Sequence, residues 1–232
     1  MRRPVALGLV VLIGCLDPFP PPMHGMVTFV IDDGNVTDYT VKKPIFDAAG
    51  VVAVSGVISS RLVLSNAQLL AMQADGWEIA SHSRRHMDET VLTEAQLEDE
   101  IGGAKVELER MGLTVTTHVY PYGRFNELVE SVVRRHYQAG VTGGGGPNVI
   151  PLVNRFEIRR HMFGYQYTSA DRNTLPFYQT LVDSAKHRGL WLVFELHEVN
   201  SSDAVMLFQL LEYIRKQSLP VVTIRQGLSI TR

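Results

Sequence analysis

Short apolar runs recur along the chain from Met26 onward, separated by longer stretches in which apolar residues return every third or fourth position. The runs Met26 to Ile31, Val51 to Val57, Trp77 to Ala80, Thr117 to Tyr120, Phe156 to Ile158, Trp191 to Leu196 and Val221 to Ile224 predict strands. Between them, Val36 to Ala48, Asn66 to Ala74, Glu127 to Tyr137, Leu175 to His187 and Asp203 to Gln217 predict helices. The clearest helix begins at Thr93, where Thr-Glu-Ala-Gln matches a capping box. Ile101, Ala104, Leu108 and Met111 then recur at helical spacing until Gly112 ends it. Strands alternating with helices need crossover connections, so the sheet should be parallel, and seven or eight units in one small α/β domain favour closure into a barrel. An open doubly wound sheet is the alternative.

At 232 residues, with 45% hydrophobic and 20% charged residues, the chain has the composition of one globular domain. A net charge of -2 provides no clustered basic field, which argues against a nucleic-acid partner. The single cysteine, Cys15, excludes an intrachain disulfide. Arg2 and Arg3 precede an apolar run from Val5 to Ile13, and Leu12-Ile13-Gly14-Cys15 resembles the lipobox of a bacterial lipoprotein signal. On that reading Cys15 carries lipid, membrane attachment runs through it alone, and the protein is extracytoplasmic, lipid-anchored or secreted. The run is shorter than the roughly 20 apolar residues a bilayer span needs, which argues against an integral membrane protein, and the alternative to export is a buried first strand or an apolar tag remnant. Pro18 to Pro22, with four prolines, reads as an extended spacer, so residues 1–24 stand apart from a catalytic domain over residues 25–232.

The candidate chemistry falls at strand ends, where the loops of a parallel barrel converge. The first strand ends in Asp32-Asp33-Gly34, two adjacent carboxylates that need a cation, strong hydrogen bonds or water. Alone, the sequence Asp-Asp-Gly is an ordinary solvated turn. The third strand ends in His82-Ser83-Arg84-Arg85-His86, and on a helical turn histidines at i and i+4 share one face and can reach one ion. Asp33, His82 and His86 together supply two nitrogens and one oxygen, as a catalytic zinc-like site does. Zinc, cobalt and nickel all suit that donor set. His197 ends the strand from Trp191 and could be a fourth ligand or a proton donor, while Tyr120-Pro121-Tyr122-Gly123 reads as a rigid turn.

Taken in order, Phe29 to Gly34, His82 to His86, Tyr120 to Gly123 and Leu196-His197 resemble the motifs of the polysaccharide deacetylases, carbohydrate esterase family 4. The resemblance spans about Gly25 to Thr231. It implies a distorted (β/α) barrel of about seven parallel strands and removal of acetyl groups from N-acetylated sugars. It makes Asp33, His82 and His86 the ligands of a divalent metal, Asp32 the general base and His197 the general acid. It also gives the Tyr122 backbone N–H to the oxyanion. The implied partner is a polysaccharide or oligosaccharide containing N-acetylglucosamine. An O-acetyl esterase, another amidase or a catalytically silent carbohydrate-binding protein would share the same motifs.

Two positions depart from the family pattern. Val119 stands two residues before Pro121, where many members carry an arginine that pairs with the base aspartate. Arg159 or Arg160 is the candidate replacement, the alternative being a surface arginine pair. Val30-Ile31 replaces the usual Thr-Phe, an apolar change in the strand. His24, His118, His136, His161 and His187 match no motif, and Gly143 to Gly146 reads as a mobile loop beside the mouth. Trp77 and Trp191 read as core, and Tyr165 and Tyr167 as aromatics on a sugar-binding rim.

Overall fold

A computed structural model describes residues 25–165, 169 and 172–231. The proposed lipidation residue Cys15, the proline spacer, His24 and Tyr167 lie outside them. Eight parallel strands, β1 (Met26–Ile31), β2 (Val54–Val57), β3 (Glu78–Ser81), β4 (Thr117–Val119), β5 (Ala139–Thr142), β6 (Ile158–Arg159), β7 (His161–Met162) and β8 (Trp191–Leu196), run in the order β6-β5-β4-β3-β2-β1-β8-β7. β6 and β7 are halves of one segment separated only by Arg160. Its first half pairs with β5 and its second with β8, so the two ends of the sheet meet and the barrel nearly closes. Seven chain segments thus make the eight strands, as the resemblance implied.

Alternation along the strands divides the apolar residues into two cores. Met26, Val30, Val54, Ala80, Val119, Val141, Ile158, Trp191 and Val193 fill the barrel, while Val27, Phe29, Ile31, Ile79, Leu192 and Phe194 face the surrounding helices. Those helices are α1 (Lys43–Ala48), α2 (Asn66–Ala74), α3 (Glu94–Leu97), α4 (Gly103–Arg110), α5 (Glu127–His136), α6 (Leu175–Arg188) and α7 (Ser201–Lys216). The capping box at Thr93 forms as expected, and a π-helical stretch, Glu98–Gly102, joins α3 to α4.

The expected strand from Val221 to Ile224 is not one. Only Val221 bridges, to Val27, because Thr223 and Gln226 close a capping box that starts α8 (Ile224–Ile230). This helix stops the amino-terminal end of the barrel. Glu78 reaches across to accept the Arg225 N–H at 2.8 Å and the Thr117 hydroxyl at 2.5 Å, and a side chain at Gly227 would strike Trp191. Strand β5, Ala-Gly-Val-Thr, shows no apolar run to read. Its Gly140 is required because a Cβ there would lie 2.5 Å from the Tyr120 hydroxyl. The glycine run that follows lies against the barrel, with the Gly145 amide donating to the Arg160 carbonyl and the Gly146 amide to His161 Nε2. Among the described residues no helix is long and apolar enough to cross a membrane.

Phe29 ties the outer core together, stacked 5.1 Å from Phe194 and edge-on 5.3 Å from Phe46, which in turn packs on Trp77. Phe29→Ala should lower the unfolding free energy in urea by about 3–5 kcal/mol. A loss below about 1 kcal/mol would show that this cluster does not hold the helices to the sheet.

Candidate active site

The inward-facing alternation that fills the barrel ends, at the carboxyl side, in polar groups. After Val30 comes Asp32, after Ala80 comes His82, after Ile158 comes Arg160, and after Val193 come Glu195 and His197. Four of these are buried; His197 is partly open to solvent. Asp33, next to buried Asp32, is partly exposed at the rim.

Asp33, His82 and His86 each offer a ligand atom, and all three atoms lie within 4.8 Å of one another. His82 Nε2 is 3.1 Å from His86 Nε2, and each is 3.8 Å from Asp33 Oδ1. Ligand bonds of about 2.1 Å in a tetrahedral site place neighbouring donors about 3.4 Å apart, so the set fits a divalent ion with little adjustment. His82 Nδ1 lies 2.8 Å from the Val119 carbonyl, which can only accept. The ring hydrogen therefore sits on Nδ1, leaving the Nε2 lone pair for the site. Burial, helped by His86 and opposed by Asp32, lowers the His82 pKa to about 4, which keeps the imidazole neutral as a ligand must be.

The two histidines do not share a helical turn, contrary to the sequence expectation. They converge through an irregular loop in which Ser83 (φ 62) and His86 (φ 60) are left-handed, as are Asp33 (φ 76) and Tyr122 (φ 58) nearby. Such backbone is costly for residues with a Cβ and persists only where surroundings enforce it. Here Ser83 Oγ accepts the His86 N–H, the Glu100 carbonyl accepts the Arg84 N–H, and the Glu100 carboxylate holds both the Arg85 backbone and its guanidinium.

Asp32 is held by Arg160, whose Nη1 lies 2.7 Å from Oδ1. Arg160 Nε also donates to the Thr142 carbonyl, and Nη2 lies 3.3 Å from Glu195 Oε2. Burial pushes the Asp32 carboxyl up, but the Arg160 guanidinium, then His82 and His197, outweigh it and hold Asp32 below the usual carboxylate range. Of the two candidate arginines, Arg160 is the one the structure pairs with Asp32. Arg159 is exposed and lines a separate cleft with Asn148, Asn154 and Glu157, because strand alternation turns it outward, so it is not the partner of Asp32.

His197 Nε2 lies 3.9 Å from Asp32 Oδ2, and Nδ1 lies 3.9 Å from Glu195 Oε1. Glu195 was missed in the sequence, although counting every second residue from Trp191 turns it inward. Burial, with the Asp32 charge adding and Arg160 opposing, raises its carboxyl. The two carboxyls flanking Arg160 are thus shifted in opposite directions from their ordinary values, Asp32 down and Glu195 up. The Tyr122 ring is 60% exposed, edge-on 4.6 Å from the His86 ring, with its hydroxyl donating to the His86 carbonyl.

A polysaccharide deacetylase family model matches residues 21–141, more than half of the chain, and the chain belongs to that family. No curated protein sequence matches it. Among solved structures it is similar to the Xyl-CE4 domain of a multidomain xylanase from the hindgut metagenome of Trinervitermes trinervoides. That similarity is 18% identity and a TM-score of 0.66 over 89% of this chain and 90% of that one. The peptidoglycan deacetylase PdaC from Bacillus subtilis matches at 17% identity and a TM-score of 0.64, over 90% and 92% of the two chains. BA3943, a CE4 family pseudoenzyme from Bacillus anthracis, matches at 16% and 0.65, over 89% of this chain and 66% of that one. At such identities the likeness establishes the shared barrel. The family match ends before Arg160, Glu195 and His197, whose places rest on the geometry alone.

Asp32, with its carboxyl held low, contributes stability at neutral pH that is lost as pH falls through its folded value. Arg160→Met removes its counter-charge and should cost about 3–5 kcal/mol in urea unfolding at pH 7. The deficit relative to wild type should shrink on acidification, since a protonated Asp32 no longer needs the guanidinium. An equal deficit at pH 7 and pH 4 would contradict the pairing.

Proposed function

We propose that this protein hydrolyses acetyl groups from N-acetylated sugars, with a polysaccharide containing N-acetylglucosamine as substrate and a divalent ion, zinc in first place with cobalt or nickel as alternatives, as cofactor. The observation that carries the reading is the convergence of Asp33, His82 and His86 within 4.8 Å, beside a buried carboxylate and an imidazole that face each other. An ion in that donor set would polarise the acetyl carbonyl and bring the acidity of its water towards neutrality. Asp32, kept ionised by Arg160, accepts the proton of the attacking water. The Tyr122 backbone N–H hydrogen-bonds the oxyanion that develops as water adds. His197 gives a proton from Nε2 to the departing amine, which is otherwise too poor a leaving group. The exposed Tyr122 and Tyr165 rings offer apolar faces to a sugar at the rim.

Two further readings stand beside it, an O-acetyl esterase acting on a glycan such as acetylated xylan and a catalytically silent carbohydrate binder; Xyl-CE4 is a domain of a xylanase and BA3943 a pseudoenzyme. Attachment through a lipidated Cys15 would place the site outside the cytoplasm, where such glycans occur.

Zinc titration should give one tight equivalent per chain, lost in His82→Ala and Asp33→Ala. Asp32→Asn should keep that equivalent while acetate release from N-acetylglucosamine oligomers falls by about 100-fold or more. Chelation should abolish release, and added zinc should restore it. Binding of glycan without acetate release from N-acetylglucosamine oligomers, peptidoglycan fragments or acetylated xylan would favour the silent binder. Full turnover by Asp32→Asn would end the assignment of the base.

A further inference from the structure

Glu195 belongs neither to the metal set nor to the proton transfers just described, yet it is 7% exposed and faces the barrel interior immediately below His197. A carboxylate in that place is costly unless paired, and the apolar alternative stands one inward position earlier, at Val193. Its two oxygens are divided between two partners. Oε2 lies 3.3 Å from Arg160 Nη2, whose companion Nη1 grips Asp32, and Oε1 lies 3.9 Å from His197 Nδ1. Neither contact is a hydrogen bond, since Arg160 Nη2 has no hydrogen-bond partner and the His197 contact is too long, so Glu195 acts on both neighbours as an electrostatic guide. The chain Asp32, Arg160, Glu195, His197 alternates acid and base and returns to its start, since His197 Nε2 lies 3.9 Å from Asp32 Oδ2.

We propose that Glu195 is a positioning residue that sets the base and the acid together, fixing the Arg160 fork on Asp32 and turning the His197 ring so that Nε2 faces the substrate. A carboxylate beside Nδ1 favours the hydrogen on that nitrogen, as carboxylates behind other working imidazoles do. Glu195 lies on β8 and His197 follows the last residue of that strand, two positions on, so one strand and its exit deliver both the acid and its guide. A second cation between Asp32, Glu195 and His197, whose ligand atoms also lie within 4.8 Å of one another, competes with this reading. Arg160 opposes it by placing a guanidinium against both carboxylates.

The kinetic half of the proposal rests on the deacetylase reading, and the spectroscopic half does not. Glu195→Gln keeps the shape and removes the charge. In zinc-loaded protein, kcat on an N-acetylglucosamine oligomer should fall by about 10- to 100-fold, with KM within about twofold. Hydrolysis of 4-nitrophenyl acetate, whose leaving group needs no proton, should fall several-fold less. Glu195→Asp should restore part of the loss. Long-range 1H–15N spectra of the histidine rings should show the His197 tautomer balance moving away from Nδ1–H in Glu195→Gln and staying near wild type in Glu195→Asp. Should the glutamine variant not fold, the aspartate variant is compared with wild type by both readouts, and a partial change in the same direction is expected. Unchanged His197 signals, or an equal fall on both substrates, would overturn the proposal. So would a second zinc equivalent present in wild type and lost in Glu195→Gln, which would make Glu195 a ligand. A wild type that releases no acetate from any substrate would defeat the deacetylase reading, while the His197 signals would still decide the role of Glu195.

Discussion

A carboxylate buried inside a barrel must be matched by a cation buried with it, and the pairing of Asp32 with Arg160 meets that demand. The consequences extend beyond the pair. Arg160 stands at the break between β6 and β7, where the closing segment changes partner from β5 to β8. The residue that completes the barrel is thus the one that neutralises its interior acid. Packing and site electrostatics meet at a single position.

The site combines two kinds of support. Asp32, His82, Arg160, Glu195 and His197 continue the inward alternation of regular strands and are placed by the same register that packs Val30, Ala80, Ile158 and Val193. Asp33, His86 and Tyr122 sit on left-handed backbone in the loops above and depend on local clamps such as Ser83 and Glu100. Asp32 and His197, which the proposed mechanism makes base and acid, are thus held by the sheet, and the groups that complete the rim are held by strained loops. This division suits the proposed reaction, in which the acid and base must stay fixed while a bulky glycan enters from solvent.

Much of this was legible beforehand, for identifiable reasons. The parallel barrel followed from alternating apolar runs and amphipathic helices, and the capping box at Thr93 marked its helix to the residue. The convergence of Asp33, His82 and His86 was readable because Asp-Asp and His-x-x-x-His fall at strand ends. What failed was local. Val221 to Ile224 has strand composition, but the Thr223 cap and the need to stop the barrel floor make it a helix start. Strand β5 was invisible because close contact with Tyr120 forces a glycine into its centre. The histidine pair was assigned a helical turn because spacing alone cannot reveal left-handed residues. The choice between Arg159 and Arg160 was open to resolution by counting alternate positions from Ile158, and the same count from Trp191 would have found Glu195.

The closing segment is in ladder register over two residue pairs on each side, Val141 with Ile158 and Thr142 with Arg159, then His161 with Phe194 and Met162 with Glu195, against six between β1 and β8. So short a ladder should be where thermal fluctuation first separates the wall. Each opening withdraws the guanidinium and leaves Asp32 without its counter-charge. On warming, the protein should therefore lose turnover while its helices are still intact, with inactivation reporting the breathing of one joint and not the melting of the whole molecule.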